Sequence, residues 1–394
     1  MKSKNQNSKR IALLFVLVVI SIGAMAQVGP YPEGAILQMV NFDSNEPYGV
    51  INDPSSTYTW TITPIDGGTI TGNSNTISVH WTSAGTYTVQ VIEKNSLLCD
   101  GDPITMTVTV LPELTAGTAA ANQTICYNTI PAALTSVDPS GGTGTYTYQW
   151  QSSPDNSTFT DISGATSSGY APEVLTATTY YRLQQTSGTS GAVATNVVTI
   201  TVLPNLLAGT ASADESICYN SNPAAITATA PTGGNGSYTY QWESSADNLS
   251  FADISGATNL TYAPDALTAT TYFRLKQTSG ADCGTVTTNT ITKTVNPLPV
   301  VSINGPTQIC ATTSGHVYTT ETGMSDYVWT ISAGGTITAG GTATDHTVTV
   351  TWMSSGTQTV SANYTNGTNC SATNPTIQNV TVDPLPATSA IYHN

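Results

Sequence analysis

The chain has 394 residues and a formal net charge of −15, yet only 8% of it is Asp, Glu, Lys or Arg, against about 25% in an average soluble protein. So acidic a balance excludes nucleic-acid and anionic-membrane binding, which need basic clusters to meet phosphates. With 71 Thr, 19 Tyr, six Trp and 39% hydrophobic residues, the make-up also excludes a mainly helical protein and a disordered one.

Residues 1–26 read as a secretory signal. Lys2, Lys4, Lys9 and Arg10 make a basic start, and Ile11 to Ile22 form an apolar core. Ala24-Met25-Ala26 then supplies small residues before Gln27. About a dozen apolar residues fall short of the roughly 20 needed to span a bilayer. No later segment is long and apolar enough, so no transmembrane segment is expected. The mature chain should be secreted, or held at the cell surface by something other than a helix.

Internal repetition dominates the rest. Residues 112–188 and 204–280 share 50 identities in 77 positions at a constant offset of 92. A second pair brackets the first. Tyr58-Thr59-Trp60-Thr61-Ile62 returns as Tyr327-Val328-Trp329-Thr330-Ile331, and Ile77 to Gly85 returns as Val348 to Gly356. Thr/Val runs end at Pro112, Pro204, Pro297 and Pro384, where proline stops a strand and stiffens the connection to the next repeat. The order is therefore A-B-B-A: 27–112, 113–204, 205–297 and 298–386. Residues 387–394 are a tail or the start of a further repeat.

Each repeat has the size of one small β domain. Strand signals recur at Thr86 to Ile92, Ile104 to Val110, Val197 to Val202 and Thr347 to Trp352, without helical periodicity. Tyr146, Tyr148 and Trp150 are two apart and share a face, which puts Trp150 and Trp242 on central strands of a sandwich. Thr179-x-Tyr181 has the flavour of a tyrosine corner. Its copy carries Phe273, so the hydroxyl role falls to Tyr181 or to Tyr180 and Tyr272.

The inner repeats resemble immunoglobulin-like repeats of secreted and surface proteins of gliding-type Gram-negative bacteria. The matching residues are Ile-Cys-Tyr-Asn at 125–128 and 217–220, Tyr-x-Tyr-Gln-Trp at 146–150 and 238–242, Ile-Ser-Gly-Ala-Thr at 162–166 and 254–258, and Thr-Thr-Tyr-Tyr/Phe-Arg-Leu at 178–183 and 270–275. The outer repeats look like PKD-like domains, through Tyr-x-Trp-Thr-Ile, Gly-Gly-Thr-Ile-Thr and Val-x-Trp-x-Ser-x-Gly. The resemblance implies an all-β chain of four tandem β-sandwich domains. It also implies type IX export, whose C-terminal sorting domain is not visible, so the expectation is a piece of a longer protein.

Six cysteines in an exported protein favour disulfides. Cys218 with Cys283, and Cys310 with Cys370, fit as one bridge within each of the last two repeats. Cys99 and Cys126 are left over and could bridge across the first boundary. They are 27 residues apart, but so are Cys283 and Cys310, so spacing permits a boundary pairing there too.

Sites for chemistry are sparse. No His-Glu-x-x-His, Gly-x-Ser-x-Gly or phosphate-cradling loop occurs, and His80 should face solvent beside Trp81. Asp100-Gly101-Asp102 and Asp43 to Glu46 lack calcium-loop spacing, so no metal or cofactor is expected. If Tyr181, Phe273, Leu183 and Leu275 face the core, then Tyr180 with Arg182, and Tyr272 with Arg274, point outward, where they could stack on and bond a sugar. The competing role is Arg packed on a neighbouring Tyr to stabilise the sheet. The expected function is a non-catalytic extracellular stalk or adhesin, a semi-rigid rod on the order of 120–160 Å long. The alternatives are a module binding surface glycan or protein, or a spacer of a larger secreted enzyme.

Overall fold

The computed structural model describes Leu13–Leu14 and residues 37–391. The leader expected at 1–26 otherwise lies outside the described residues, as do the last three residues of the tail. Among the described residues the chain is strands joined by turns, with a single 3-10 turn at Ile65–Gly67. Alternation sets the faces. In Thr347–Trp352, Val348, Val350 and Trp352 are fully buried, while the threonines between them stay half-buried. The chain forms four β-sandwich domains in tandem, within two compact units that divide between Leu203 and Pro204.

In the first unit, the first domain packs two sheets. One runs Leu37–Val40, Ile104–Val110, Gly85–Lys94, Thr57–Thr63. The other places Leu13–Leu14, Asn45–Val50, Thr76–Trp81 and Gly68–Thr71 side by side. Between them Trp81 is fully buried, its indole N–H donating to the Tyr48 hydroxyl at 3.1 Å. In the second domain Thr147–Ser153 lies between Thr160–Asp161 and Thr179–Ser187, followed by Val198–Val202 and Gln123–Ile125. Trp150 therefore sits on an inner strand, fully buried against Leu134, Leu183, Val198 and Ile200. The opposing layer is thin. It consists of isolated bridges such as Leu134↔Tyr170 and Thr129↔Leu175, because prolines and glycines in 112–144 prevent a long ladder.

The tyrosine-corner expectation needs correcting. Tyr181 is 4% exposed and Phe273 3%, each filling the same core place with its ring, so the hydroxyl is dispensable there. In these two repeats the hydroxyls of Tyr146 and Tyr238 reach back to upstream backbone, donating to the Gly141 carbonyl at 3.1 Å and the Gly233 carbonyl at 2.6 Å.

The second unit holds the other two domains. The third domain repeats the second, with Glu215–Cys218, Ile291–Asn296, Thr271–Ser279, Tyr238–Ser245 and Ala252–Asp253 in that order. The fourth pairs a sheet of Gln308–Cys310, Thr376–Asp383, Gly356–Thr365 and Ser325–Ile331 with one of His316–Thr319, Thr347–Trp352 and Gly335–Gly340. Trp352 donates to the Tyr318 hydroxyl at 3.1 Å, repeating the Trp81–Tyr48 pair.

One rule runs through all four domains: the opening strand lies parallel to the closing strand. Val40 faces Val110, Ile125 faces Val202, Ile217 faces Val295 and Ile309 faces Val382. Parallel pairing fixes polarity. The end of the opening strand must lie at the pole where the chain leaves the domain. The hairpin before the closing strand must lie at the opposite pole, where the chain enters.

That polarity corrects the cysteine pairing. Cys218 is bonded to Cys370, 152 residues away with Cα atoms 5.6 Å apart, and not to Cys283. Cys310 is not bonded to Cys370 but is a free, exposed thiol, as is Cys99, so Cys99 does not bridge Cys126. Cys126 and Cys283 are both disulfide-bonded. Within one domain the opening-strand cysteine and the hairpin cysteine are separated by the closing strand, roughly 20 Å for six residues. A disulfide needs Cα atoms within about 7 Å. The exit pole of the third domain meets the entry pole of the fourth, and there the Cys218–Cys370 bond forms.

Candidate functional site

The first junction shows the same arrangement in hydrogen bonds. Asn41 follows Val40, so it occupies in the first domain the register position of Cys126, Cys218 and Cys310. Its Nδ2 donates to the Thr189 carbonyl at 3.0 Å. Its Oδ1 accepts from the Thr189 and Ser190 hydroxyls at 3.2 and 3.0 Å. Thr189 and Ser190 lie in the second domain's late hairpin, the counterpart of the loop that carries Cys283 in the third domain. Asn41 with Thr189 and Ser190, and Cys218 with Cys370, are thus two chemistries at one structural position: exit end of one domain, late hairpin of the next.

Little slack separates the first two domains. The Leu111 N–H donates to the Val40 carbonyl at 2.9 Å, extending the first domain's ladder, while the next residue, Pro112, accepts from the Gly142 N–H of the second domain at 2.9 Å. Gly141 makes this approach possible. Its φ is +82°, and a Cβ there would lie 1.9 Å from the Glu113 carbonyl oxygen.

On the outer faces, Tyr180, Arg182, Tyr272 and Arg274 stand on Thr179–Ser187 and Thr271–Ser279, opposite the buried Tyr181, Leu183, Phe273 and Leu275. Both arginines are engaged. The Arg182 guanidinium lies 4.2 Å over the Phe159 ring and donates to Gln151 Oε1 at 2.7 Å. Arg274 lies 4.0 Å over Phe251 and pairs with Glu243 at 2.6 Å. The sequence suggests an arginine on a tyrosine; the ring is instead a phenylalanine from the turn after the facing strand. Tyr180 and Tyr272 are half-buried.

The copies differ in charge. Glu243, 8% exposed, also faces Lys276 at 3.4 Å, whereas the second domain has neutral Gln151 and Gln184 at these places. Arg274→Ala should therefore cost about 2–3 kcal/mol, because it strips a buried carboxylate of its closest partner. Arg182→Ala should cost only about 1 kcal/mol in lost packing. Thermal melts of the two variants check the order.

Turns and ion pairs occupy these carboxylates. Asp155 accepts from Thr158 N, Ser157 N and the Ser153 hydroxyl, and these bonds, the backbone ones foremost, hold it well below the usual carboxylate range. Asp247 repeats the motif with Ser250 N, Leu249 N and Ser245, which lower it to about 2. Asp43 lies 3.3 Å from His80 Nε2, and Asp100 lies 3.3 Å from Lys94. His80 stands on the strand face opposite Trp81, its side chain 39% exposed beside this acid. Among the described residues no three His, Cys, Asp or Glu side chains cluster to hold a metal ion.

A cleft of about 260 Å³ runs along 163–171 of the second domain, lined by Gly164, Thr166, Ser167 and Tyr170 among others. Beneath this layer the domains differ. The Trp242 indole donates to the Asn259 carbonyl at 2.9 Å, while the buried Trp150 N–H has no partner among the described residues.

No helix among the described residues is long and apolar enough to cross a membrane. Residues 115–204 and 207–297 each match a family described as a domain of unknown function (DUF8696), and residues 296–380 match the PKD-like domain. No curated protein matches the chain. Among solved structures the chain is similar to the human desmocollin-1 ectodomain, at 9% identity over 90% of this chain and 79% of that one, with a TM-score of 0.28. An I-band fragment of titin is similar at 11% identity over 66% of this chain and 95% of that one, TM-score 0.38. Drosophila OTK extracellular domains 3–5 give 13%, 67%, 96% and 0.28. The strand topology makes the chain a tandem of β-sandwich repeats, and the stretch 296–380 is similar to the PKD-like domain.

Proposed function

We propose that the protein is a non-catalytic extracellular stalk, structural or adhesive, whose repeats hold some terminal activity away from a surface. The observation that carries this reading is the tied junction. Asn41 with Thr189 and Ser190, and Cys218 with Cys370, join successive domains at the same two poles, which is what a spacer under bending load requires. The disulfides suit an oxidising compartment. The leader at 1–26 and the resemblance to surface proteins of gliding-type bacteria support export, with type IX secretion as the route. A binding role for surface glycan or protein is the second reading, at the cleft along 163–171; Tyr180, Arg182, Tyr272 and Arg274 lie outside its lining, with both arginines already engaged.

Small-angle scattering tests the stalk. A rod on the order of 120–160 Å gives a radius of gyration near 40 Å, whereas a compact globule of this length gives about 21 Å. The compact value would end the stalk reading.

A further inference from the structure

The bonding rule leaves two cysteines of these four domains unused, Cys310 at an exit pole and Cys99 at an entry pole. Cys310 ends the opening strand of the fourth domain, facing Asp383 at the exit pole, as Cys218 faces Asn296 in the third. Cys99 lies in the late hairpin of the first domain, at the entry pole. Its loop is the loop of Cys370. Asn95 N donates to Cys99 O at 3.1 Å and Leu98 N to Asn95 O at 2.9 Å, matching Asn366 N to Cys370 O at 2.9 Å and Asn369 N to Asn366 O at 2.9 Å. In both loops the residue before the cysteine has positive φ, and the Asn side chain accepts from the cysteine N–H. Both Cys99 and Cys310 are free and exposed, while Cys370, the bonded counterpart of Cys99, is 1% exposed. Beside Cys99 stand Leu97 and Leu98, 82% and 77% exposed, where the Cys370 loop has Thr368 and Asn369. These two leucines give the free thiol an apolar flank that the Cys370 loop lacks.

We propose that Cys310 of one copy forms a disulfide with Cys99 of a second copy, joining fourth domain to first domain as Cys218–Cys370 joins third to fourth. The pairing is heterologous and head-to-tail, so it leaves one free Cys99 and one free Cys310 on every product and propagates. The oxidant is a small-molecule disulfide of the glutathione class. The Cys310 thiolate attacks it and releases one glutathione thiol. The Cys99 thiolate of the second copy then attacks the Cys310 sulfur, forming the protein disulfide and releasing the second glutathione thiol.

The test uses the full chain, Cys99→Ser and Cys310→Ser with tags of different mass, incubated with oxidised glutathione and separated without reductant. Wild type should give a ladder of multimers that collapses on reduction. Each single variant should remain monomeric, and their mixture should give only the mixed dimer, carrying a Cys99–Cys310 linked peptide. An intact Cys218–Cys370 peptide in each variant reports that it is folded. The proposal is overturned if either variant dimerises alone as readily as the mixture. It is equally overturned if wild type stays monomeric, with both thiols capped by glutathione or joined within one chain.

Discussion

Replacing Cys218 and Cys370 together by serine is expected to lower the melting of the third and fourth domains by roughly 10–20 °C. The bond closes a loop of 152 residues, and the chain-entropy relation assigns such a loop about 5 kcal/mol of unfolded-state constraint. Spread over about 180 residues, each kcal/mol corresponds to about 2–4 °C. Calorimetry of the variant, compared with wild type before and after reduction, measures the difference. Cys99→Ser and Cys310→Ser, which remove free thiols, should leave the monomer's melting unchanged. A Cys218→Ser, Cys370→Ser double variant that melts like wild type would mean the third and fourth domains gain nothing from being tied.

The second large effect comes from a buried lysine. Lys293 is paired with Glu215 across the parallel ladder, Nζ to Oε2 at 2.8 Å, with the lysine side chain 3% exposed and the glutamate 32%. Glu215→Gln is expected to cost about 3 kcal/mol, because it leaves an ammonium buried without an anion. The second domain already contains a neutral solution. Thr195 and Thr288 cap equivalent N–H groups of Leu183 and Leu275, so beyond the late hairpin the two repeats run 93 apart, and Lys293 matches the fully buried Ile200. Glu215→Gln with Lys293→Ile therefore recreates the Gln123↔Ile200 pair and should recover wild-type stability or exceed it.

The same pair sets a pH dependence. The hydrogen bond from Lys293 holds the Glu215 carboxyl below its ordinary range against the opposing effect of burial. A depressed carboxylate contributes its full stability above its unfolded pKa, near 4.3, and loses it as pH falls through the folded value. The gap between wild type and Glu215→Gln should accordingly narrow below about pH 4.3. Denaturant titrations at pH 7 and pH 3 measure both gaps.

Much of this architecture was legible in the sequence. The 92-residue repeat and the alternation around Trp150 identified the β-sandwiches and a core face of the inner repeats, because period-two burial leaves a direct trace in residue type. The arginine sites were half legible. Alternation put Arg182 and Arg274 outside, but Phe159 and Phe251 come from turns, which carry no period. Cysteine partners were not legible from spacing. The deciding quantity is the pole at which each cysteine lies, and that depends on the parallel pairing of opening and closing strands. Asn41 gave no signal, since an exit position filled by a hydrogen-bonding side chain looks like any other turn asparagine. Lys293 was hidden by the one-residue insertion in the late hairpin, which shifts the repeat alignment and conceals its match to Ile200.

Peptide mapping of the oxidised monomer under non-reducing conditions reaches the central claim, that domains are tied exit pole to entry pole. A Cys218–Cys370 linked peptide, with Cys99 and Cys310 recovered as alkylated thiols, is the predicted result. Recovery of Cys218–Cys283 and Cys310–Cys370 peptides would contradict it, since each would have to bridge the two opposite poles of a single domain.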